Sequence, residues 1–275
     1  MTISKYPTLK EIRDAHGWKR KYERYLPLSR YIFRPLGFLL TWIAIRIGLT
    51  SEAVSWLSGV FGLAGFLCLM SRDVQQIPIG IALLLLFNLF DCVDGSIARV
   101  MNTQNPYGRF LDGLMGWIDM VFWAVIGVMV YRHSILLYLP DPFGKGVIVW
   151  LVVGVLASFF SILVGFIERI FDELLREEWN ELIEKDKVHQ INAFKSNVMG
   201  DKKSLLQILK NIIREINNNL RVRETHYFLL ILAYWGNVVD LFLAGFLFYY
   251  AFHTLLLIII YSVRGKIIRL KYRAS

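Results

Sequence analysis

Residues 89–117, LFDCVDGSIARVMNTQNPYGRFLDGLMGW, connect the end of one apolar segment to the start of the next. Asp91 and Asp94 lie near the end of the first segment, and Asp112 lies near the start of the second. The apolar segments approach the roughly 20 residues that a helix needs to cross a bilayer. Because carboxylates are costly to bury at membrane depth and usually serve function there, this junction is the first candidate for a site.

The composition indicates a membrane protein with several spans. Of the 275 residues, 56% are hydrophobic and 15% are aromatic, which is unusual for a soluble domain. Cys68 and Cys92 lie in apolar segments and are too few for a disulfide framework. The charged N-terminus shows no short apolar core before a cleavage site, so we expect no cleaved signal peptide.

Apolar runs predict the transmembrane segments. Six spans are expected, at 52–71, 77–98, 109–132, 144–167, 226–239 and 241–263. The segment 32–48 is also apolar, but one stripe at helical spacing holds Arg30, Arg34, Gly37 and Thr41. That stripe favours a helix lying in the membrane interface. The predicted fold class is therefore an all-α integral membrane protein with six transmembrane helices, an N-terminal interfacial amphipathic helix and a cytosolic helical hairpin.

The basic residues predict which side of the membrane each loop occupies. If both chain ends are cytosolic, all Lys and Arg except Arg72, Arg132 and Lys145 fall in cytosolic segments. A spanning helix at 32–48 would reverse every later loop and place most of this charge in the wrong compartment. We therefore predict a protein of the inner (cytoplasmic) membrane, with its acidic site facing the cytosol. The basic excess reflects orientation, so nucleic acid is not expected as a partner.

Four segments follow from this topology. They are a cytosolic N-terminus with the interfacial helix (1–51), transmembrane helices one to four (52–167), a cytosolic helical insertion (168–225), and the last two transmembrane helices with a basic tail (226–275). The insertion has the periodicity of two amphipathic helices. A hairpin folded on itself or on the membrane surface is favoured over a dedicated partner site.

The first acidic cluster has a regular helical spacing. Asp91 and Asp94 are three residues apart and therefore share a helix face. Gly95 and Ala98 leave that surface nearly bare, so that another helix or a ligand can approach closely. Arg99 adds a fixed positive charge one turn beyond Gly95.

The next predicted helix presents a second set of residues. Gly108 and Asp112 are four residues apart and again share one face. Three acids on two neighbouring helices form a hard oxygen cluster that suits Mg²⁺ or Mn²⁺ together with substrate phosphates. The alternative is that these acids only pair with Arg99 and Arg109 at the interface. The regular spacing and the small residues between the acids favour the functional interpretation.

These residues form a pattern that resembles the signature of a known family. The pattern is Asp91, two residues, Asp94-Gly95, two residues, Ala98-Arg99, eight residues, Gly108, three residues, Asp112. It resembles the CDP-alcohol phosphotransferases, integral-membrane enzymes that make phospholipid head groups. The stretch LTSEAVSWLSG at 49–59 is similar to the one that leads into the first span of that family.

The resemblance implies an architecture and a reaction. It implies six spans, an N-terminal interfacial helix, a cytosol-facing polar cavity and frequently a homodimer among membrane lipids. It implies one or two Mg²⁺ or Mn²⁺ ions held by Asp91, Asp94 and Asp112 on the pyrophosphate of a CDP-linked alcohol. The hydroxyl of an alcohol acceptor, lipid or polar, would then attack the phosphorus away from the cytidine and release CMP. The residues implied to face the nucleotide or its phosphates are Gly95, Ala98, Arg99 and Gly108.

One position departs from the family pattern. The fourth aspartate, implied to be a metal ligand and general base, is replaced by Gly116. Asp119 lies on the same predicted face but deeper along the helix, and Glu52 lies at the start of the first span; each is a candidate base. Asp119 could instead be a buried polar partner of another helix. Glu52 could be a charge favoured by the helix dipole.

Three functions remain open from the sequence. The leading one is a transferase that moves a substituted phosphate from a CDP-linked alcohol to an alcohol acceptor. A second keeps the nucleotide site but changes the donor or the acceptor, for example to a glycan or a polyprenyl lipid. A third is a silent relative that binds nucleotide or acts as a scaffold. Retention of three acids and Arg99 favours altered chemistry over decay.

Overall fold

The computed structural model describes residues 6–17, 25–139, 148–184 and 205–274. Every regular element in these ranges is helical. The helices are α1 (Leu9–Ala15), α2 (Arg34–Arg46), α3 (Ser51–Leu69), α4 (Gln76–Val100), α5 (Pro106–Ile118), α6 (Phe122–Arg132), α7 (Ile148–Leu174), α8 (176–184), α9 (Leu205–Leu220), α10 (Arg223–Trp235) and α11 (Val239–Ala274).

Five helical segments in the described residues are long and apolar enough to cross a membrane. They are Ser51–Leu69, Gln76–Val100, Pro106–Arg132, Ile148–Leu174 and Val239–Tyr272. The chain is therefore an all-α membrane protein, as predicted. The segment predicted as the fifth of six spans folds as α10, which has only 13 residues. Such a helix rises about 20 Å, less than the roughly 30 Å of a bilayer core, so a sixth span stays a prediction.

The predicted interfacial segment forms α2, which packs against α4. A short π-helix, Ser29–Phe33, leads directly into it. The buried face of α2 includes Gly37 and Thr41, two members of the predicted stripe. A Cβ atom added at Gly37 would lie 3.5 Å from Cβ of Cys92, which shows how closely the two helices approach. The position of α2 relative to a membrane stays a prediction.

Glycines allow the long helices to pack closely. Where α3 crosses α4, a Cβ at Gly65 would lie 3.1 Å from the carbonyl oxygen of Gly80. Where α6 crosses α7, a Cβ at Gly127 would lie 2.7 Å from the carbonyl oxygen of Trp150 and 2.9 Å from Cα of Gly154. Close backbone approach of this kind is the usual basis of helix association in membranes.

The helix predicted at 109–132 is interrupted in the middle. It begins earlier, at Pro106, because the side chain of Asn105 caps it and accepts from the backbone N–H of Gly108 at 2.7 Å. A 3₁₀ turn over Asp119–Val121 separates α5 from α6. Such a turn changes the direction of the side chains that follow α5, which matters for Asp119.

The predicted cytosolic insertion is only partly described. Helix α8 follows α7 after a turn at Leu175, and α9 ends beside the N-terminal segment, where Asn219 donates to the carbonyl oxygen of Tyr25 at 2.7 Å. The turn of the predicted hairpin falls within 185–204, outside the described residues, as do 144–147 of the predicted fourth span. The hairpin therefore stays a prediction.

Candidate active site

One cavity of about 1160 Å³ lies where the ends of α3, α4, α5 and α10 meet. Its wall includes every residue of the sequence pattern: Asp91, Asp94, Gly95, Ala98, Arg99, Gly108 and Asp112. Gly116, which replaces the fourth aspartate, also lines it, as does Glu52. A volume of this size exceeds the roughly 300–1,000 Å³ of typical small-molecule pockets and can hold a nucleotide with an attached alcohol.

The start of α3 is anchored on Asp94. Thr50 caps this helix, since its side chain accepts from the N–H of Ala53 at 3.2 Å. The hydroxyl of Ser51 donates to the carbonyl oxygen of Asp94 at 2.9 Å, and that of Ser55 donates to its Oδ2 at 2.5 Å. The N–H of Gly95 donates to Oδ1. The side chain of Asp94 is buried, and hydrogen bonds hold both of its carboxylate oxygens.

Asp91 forms an ion pair with a residue of another helix. Nη2 of Arg223, the first residue of α10, donates to Oδ2 of Asp91 at 2.8 Å. The guanidinium also lies 5.1 Å from the ring centre of Phe87. Burial is the largest single influence and acts to lower the pKa of Arg223, but the acidic groups around it, with Asp91 the strongest, together outweigh burial and the pKa is raised. Arg223 is therefore a fixed cation at the cavity wall.

Arg99 covers part of the surface that the sequence predicts to be bare. A Cβ atom added at Gly95 would lie 3.0 Å from Nη1 of Arg99, so the glycine makes room for the guanidinium. Nη2 of Arg99 donates to the hydroxyl of Ser96 at 3.3 Å. The small residue at position 95 thus serves the packing of Arg99 in this arrangement, and its proposed role toward a nucleotide stays a prediction.

The two candidate bases lie in different environments. Glu52 lines the cavity in the first turn of α3. Asp119 is absent from the described residues of the cavity wall, and its Oδ1 accepts from the hydroxyl of Tyr227 at 2.5 Å. The structure thus places Asp119 as a partly buried polar partner of another helix. A Cβ atom at Gly116 would meet no described heavy atom within 4 Å, so a larger side chain fits there.

The donor chemistry of the cavity suits a hard divalent ion, since five carboxylates line it: the pattern residues Asp91, Asp94 and Asp112, together with Glu52 and Glu224. Their geometry does not yet form a metal site, because no group of three or more His, Cys, Asp or Glu side chains in the described ranges is arranged to hold an ion. The pairing of Asp91 with Arg223 contributes to this arrangement. The role of Asp91, Asp94 and Asp112 as metal ligands stays a prediction.

Sequence reasoning missed several polar residues of the wall, among them Ser55, Asn88, Arg221 and Arg223. Ser55 follows Ser51 by four residues, so their shared helix face was available as a signal. Arg221 binds Glu168 of α7 through two hydrogen bonds. Burial works against its charge, yet Glu168 raises the pKa of Arg221 overall. In the sequence, Arg221 and Arg223 resemble the basic residues that ordinarily flank a span, so no pattern marked them as part of a site.

The protein belongs to the class of α-helical membrane bundles with a polar cavity at the helix ends. Residues 49–183 match the family model described as CDP-alcohol phosphatidyltransferase. The match begins at Leu49, where the second stretch of sequence similarity also begins. The chain therefore carries a CDP-alcohol phosphatidyltransferase domain, and the predicted family is confirmed. A comparison with curated proteins finds no match.

Proposed function

We propose that the protein transfers a substituted phosphate from a CDP-linked alcohol to an alcohol acceptor and releases CMP. The observation that supports this function is that all residues of the family pattern meet on the wall of one cavity. They come from α4 and α5 and enclose a space large enough for the donor. The family domain supports a transferase of this kind.

The proposed reaction forms one bond and breaks one bond at phosphorus. The acceptor hydroxyl oxygen attacks the phosphorus that carries the donor alcohol. The bond from that phosphorus to the bridging oxygen breaks, and CMP leaves with the bond electrons. The hydroxyl proton passes to a base of the protein or to water. Most of the rate enhancement in such a transfer comes from positioning and from neutralisation of charge.

The motif residues have proposed roles in that reaction. Asp91, Asp94 and Asp112 would hold Mg²⁺ or Mn²⁺, which supplies positive charge to the pyrophosphate when it is bound. Ser55 fixes the orientation of Asp94 through its hydrogen bond. The small residues Ala98 and Gly108 leave room for the nucleotide on the wall.

Glu52 is the proposed general base. It lines the cavity beside the pattern residues, whereas Asp119 is bonded to Tyr227. Glu52 lies in the first turn of α3, at the end of the helix where the backbone dipole attracts anions. A carboxylate at this place can accept the proton of an acceptor that enters the cavity.

The setting of the reaction is also proposed. We place the cavity on the cytosolic side of the inner membrane, because the distribution of Lys and Arg favours that orientation. The products would be phospholipids or related lipids and glycans, and the protein would work as a homodimer, as the family resemblance implies.

The experiment is a CMP-release assay with purified protein. Radiolabelled CDP-alcohols, lipid extract and Mg²⁺ or Mn²⁺ are supplied, and labelled CMP is measured for the wild type, Asp94→Asn and Asp172→Asn. Asp172 is an exposed acid paired with Arg176, so its variant changes the same charge far from the cavity. We expect release by the wild type and by Asp172→Asn but not by Asp94→Asn. Equal release by all three proteins would contradict the proposed site.

A second candidate is a nucleotide-binding protein without transferase activity. It is favoured by Gly116 in place of the fourth acid and by the engagement of Asp91 with Arg223. Binding of a CDP-alcohol that depends on Asp94, without CMP release over a broad donor panel, would support this candidate. Release from any donor would exclude it.

A further inference from the structure

The Asp91–Arg223 pair joins the acid cluster to a helix outside the matched domain. Residues 49–183 include Asp91 but not Arg223, which begins α10. The side chain of Asp91 is only 17% exposed and that of Arg223 only 24%, so water screens the pair weakly. Their separation of 132 positions in the chain makes this a tertiary contact rather than a local one.

Arg223 is paired with Asp91, a carboxylate that the family pattern assigns to metal binding. Its Nη2 atom lies 2.8 Å from Oδ2 of Asp91. Its Nη1 atom is buried, and it has no hydrogen-bond partner among the described residues. A buried donor without a partner is unfavourable unless something else compensates. The ion pair with Asp91 supplies that compensation.

The surrounding charges explain why a guanidinium is stable here. Asp91, Asp94 and Asp112 lie on one wall that Glu52 and Glu224 also line, and acids this close together need positive charge nearby to remain ionised. Gly116 removes the fourth acid of the pattern, so the cluster needs less positive charge than four acids would. One fixed arginine supplies part of it.

We propose that Arg223 is an internal cation that competes with a divalent ion for Asp91. The inference rests on the proposed function, because it assumes that the acid cluster is the cation site. In the arrangement described here, the guanidinium contacts Asp91 and the acids are not gathered as a metal site. An ion that uses Asp91 has to displace Arg223 from it. Arg223 thus weakens metal binding and acts as a positioning residue for Asp91.

The test measures Mn²⁺ binding directly, by the loss of the free-ion electron paramagnetic resonance signal during titration of purified protein. Wild type is compared with Arg223→Gln, which removes the guanidinium charge. Because a unit charge within about 4–6 Å changes cation affinity by at least about tenfold, we expect Arg223→Gln to bind Mn²⁺ at least tenfold more tightly. Unchanged or weaker Mn²⁺ binding by a folded Arg223→Gln protein would overturn the proposal.

Arg221→Gln is the matched control. Arg221 lines the same cavity and is also paired with an acid, but its partner is Glu168. We expect less than about threefold change in Mn²⁺ affinity for this variant, because its charge is not on Asp91. An equal gain in Mn²⁺ affinity in both variants would show that the effect comes from net charge rather than from the contact with Asp91, and would overturn the proposal.

A double variant protects the test from misfolding. Arg223→Gln leaves Asp91 partly buried without its partner, which can destabilise the protein. Asp91→Asn with Arg223→Gln removes both charges, and we expect it to lose the gain in Mn²⁺ affinity while it elutes as folded protein. If the double variant keeps the gain, the competition is not for Asp91 and the proposal is wrong.

The outcomes separate this inference from the proposed function. CMP release with equal Mn²⁺ affinity in wild type and Arg223→Gln would leave the transferase standing and overturn the competition. Tighter Mn²⁺ binding by Arg223→Gln without CMP release from any donor would support the competition and contradict the transferase.

Discussion

Ser55 connects α3 to the acid cluster, because its hydroxyl donates to Oδ2 of Asp94 over 2.5 Å while Asp94 is almost fully buried. The carbonyl oxygen of Ser51 lies 3.1 Å from the same hydroxyl oxygen and is the alternative, more distant acceptor for its single hydrogen. Asp94 is thus held by a neighbouring helix as well as by its own. The precision of the cluster depends on this contact, since catalytic groups need a supporting shell to hold their geometry.

Ser55→Ala is expected to weaken both activity and stability. Loss of a hydrogen bond to a charged group costs about 2 kcal/mol of unfolding free energy, and a misplaced Asp94 lowers CMP release by about tenfold or more. CMP release and thermal unfolding are to be measured together. Ser58→Ala is the control, because Ser58 is buried on the same helix and donates to the carbonyl oxygen of Ser55. Equal loss of CMP release in both variants would remove the special role of Ser55.

Gly116→Asp is expected to raise CMP release by up to about 10², because a carboxylate at the fourth position of the family pattern would supply a second base beside Glu52. The built Cβ at this position meets no described heavy atom within 4 Å, so the aspartate fits without strain from neighbours. Gly113→Asp is the matched control, since its built Cβ is equally open and Gly113 is absent from the described residues of the cavity wall. A similar rise in both variants, or none in Gly116→Asp, would show that position 116 is not limiting.

Glu52→Gln is expected to lower the turnover number for CMP release by about 10² or more, because the cavity loses its proposed base. Asp119→Asn should leave turnover intact, since the amide oxygen can still accept from Tyr227. The two variants are compared at saturating donor and acceptor. The reverse result, with loss only in Asp119→Asn, would assign the base to Asp119.

Gly127→Ala is expected to destabilise the helix bundle by about 1–3 kcal/mol, because the added methyl would collide with the backbone of α7. Gly165→Ala, on α7, meets no described heavy atom within 4 Å and should be neutral or slightly stabilising. Thermal unfolding in the same detergent compares the variants. If Gly127→Ala unfolds at the same temperature as Gly165→Ala, the close crossing of α6 and α7 is wrong.

Local patterns were sufficient to predict several features. The spacing of Asp91 and Asp94, and of Gly108 and Asp112, predicted residues that the structure places on one cavity wall. The apolar runs predicted the membrane fold, because a bilayer imposes a minimum helix length that is visible in any sequence. These predictions depend only on helix geometry and hydrophobicity.

Features that depend on tertiary packing could not be predicted. The partner of Asp91 lies on a helix far along the chain, and no local period connects the two residues. Asp119 was predicted to follow the face of Asp112, but the 3₁₀ turn at Asp119–Val121 interrupts the helix, and Tyr227 binds its side chain. The segment that folds as α10 is short, so its length in the sequence could not decide whether it crosses the membrane or packs on other helices.

The decisive measurement is an experimental structure of the protein with a CDP-linked alcohol and Mn²⁺, in which anomalous scattering locates the ion. We predict a manganese peak at about 2.1–2.3 Å from carboxylate oxygens of Asp94 and Asp112, with the pyrophosphate beside it in the cavity of about 1160 Å³. A nucleotide bound elsewhere, or manganese with no aspartate oxygen of this wall within reach, would contradict the proposed active site.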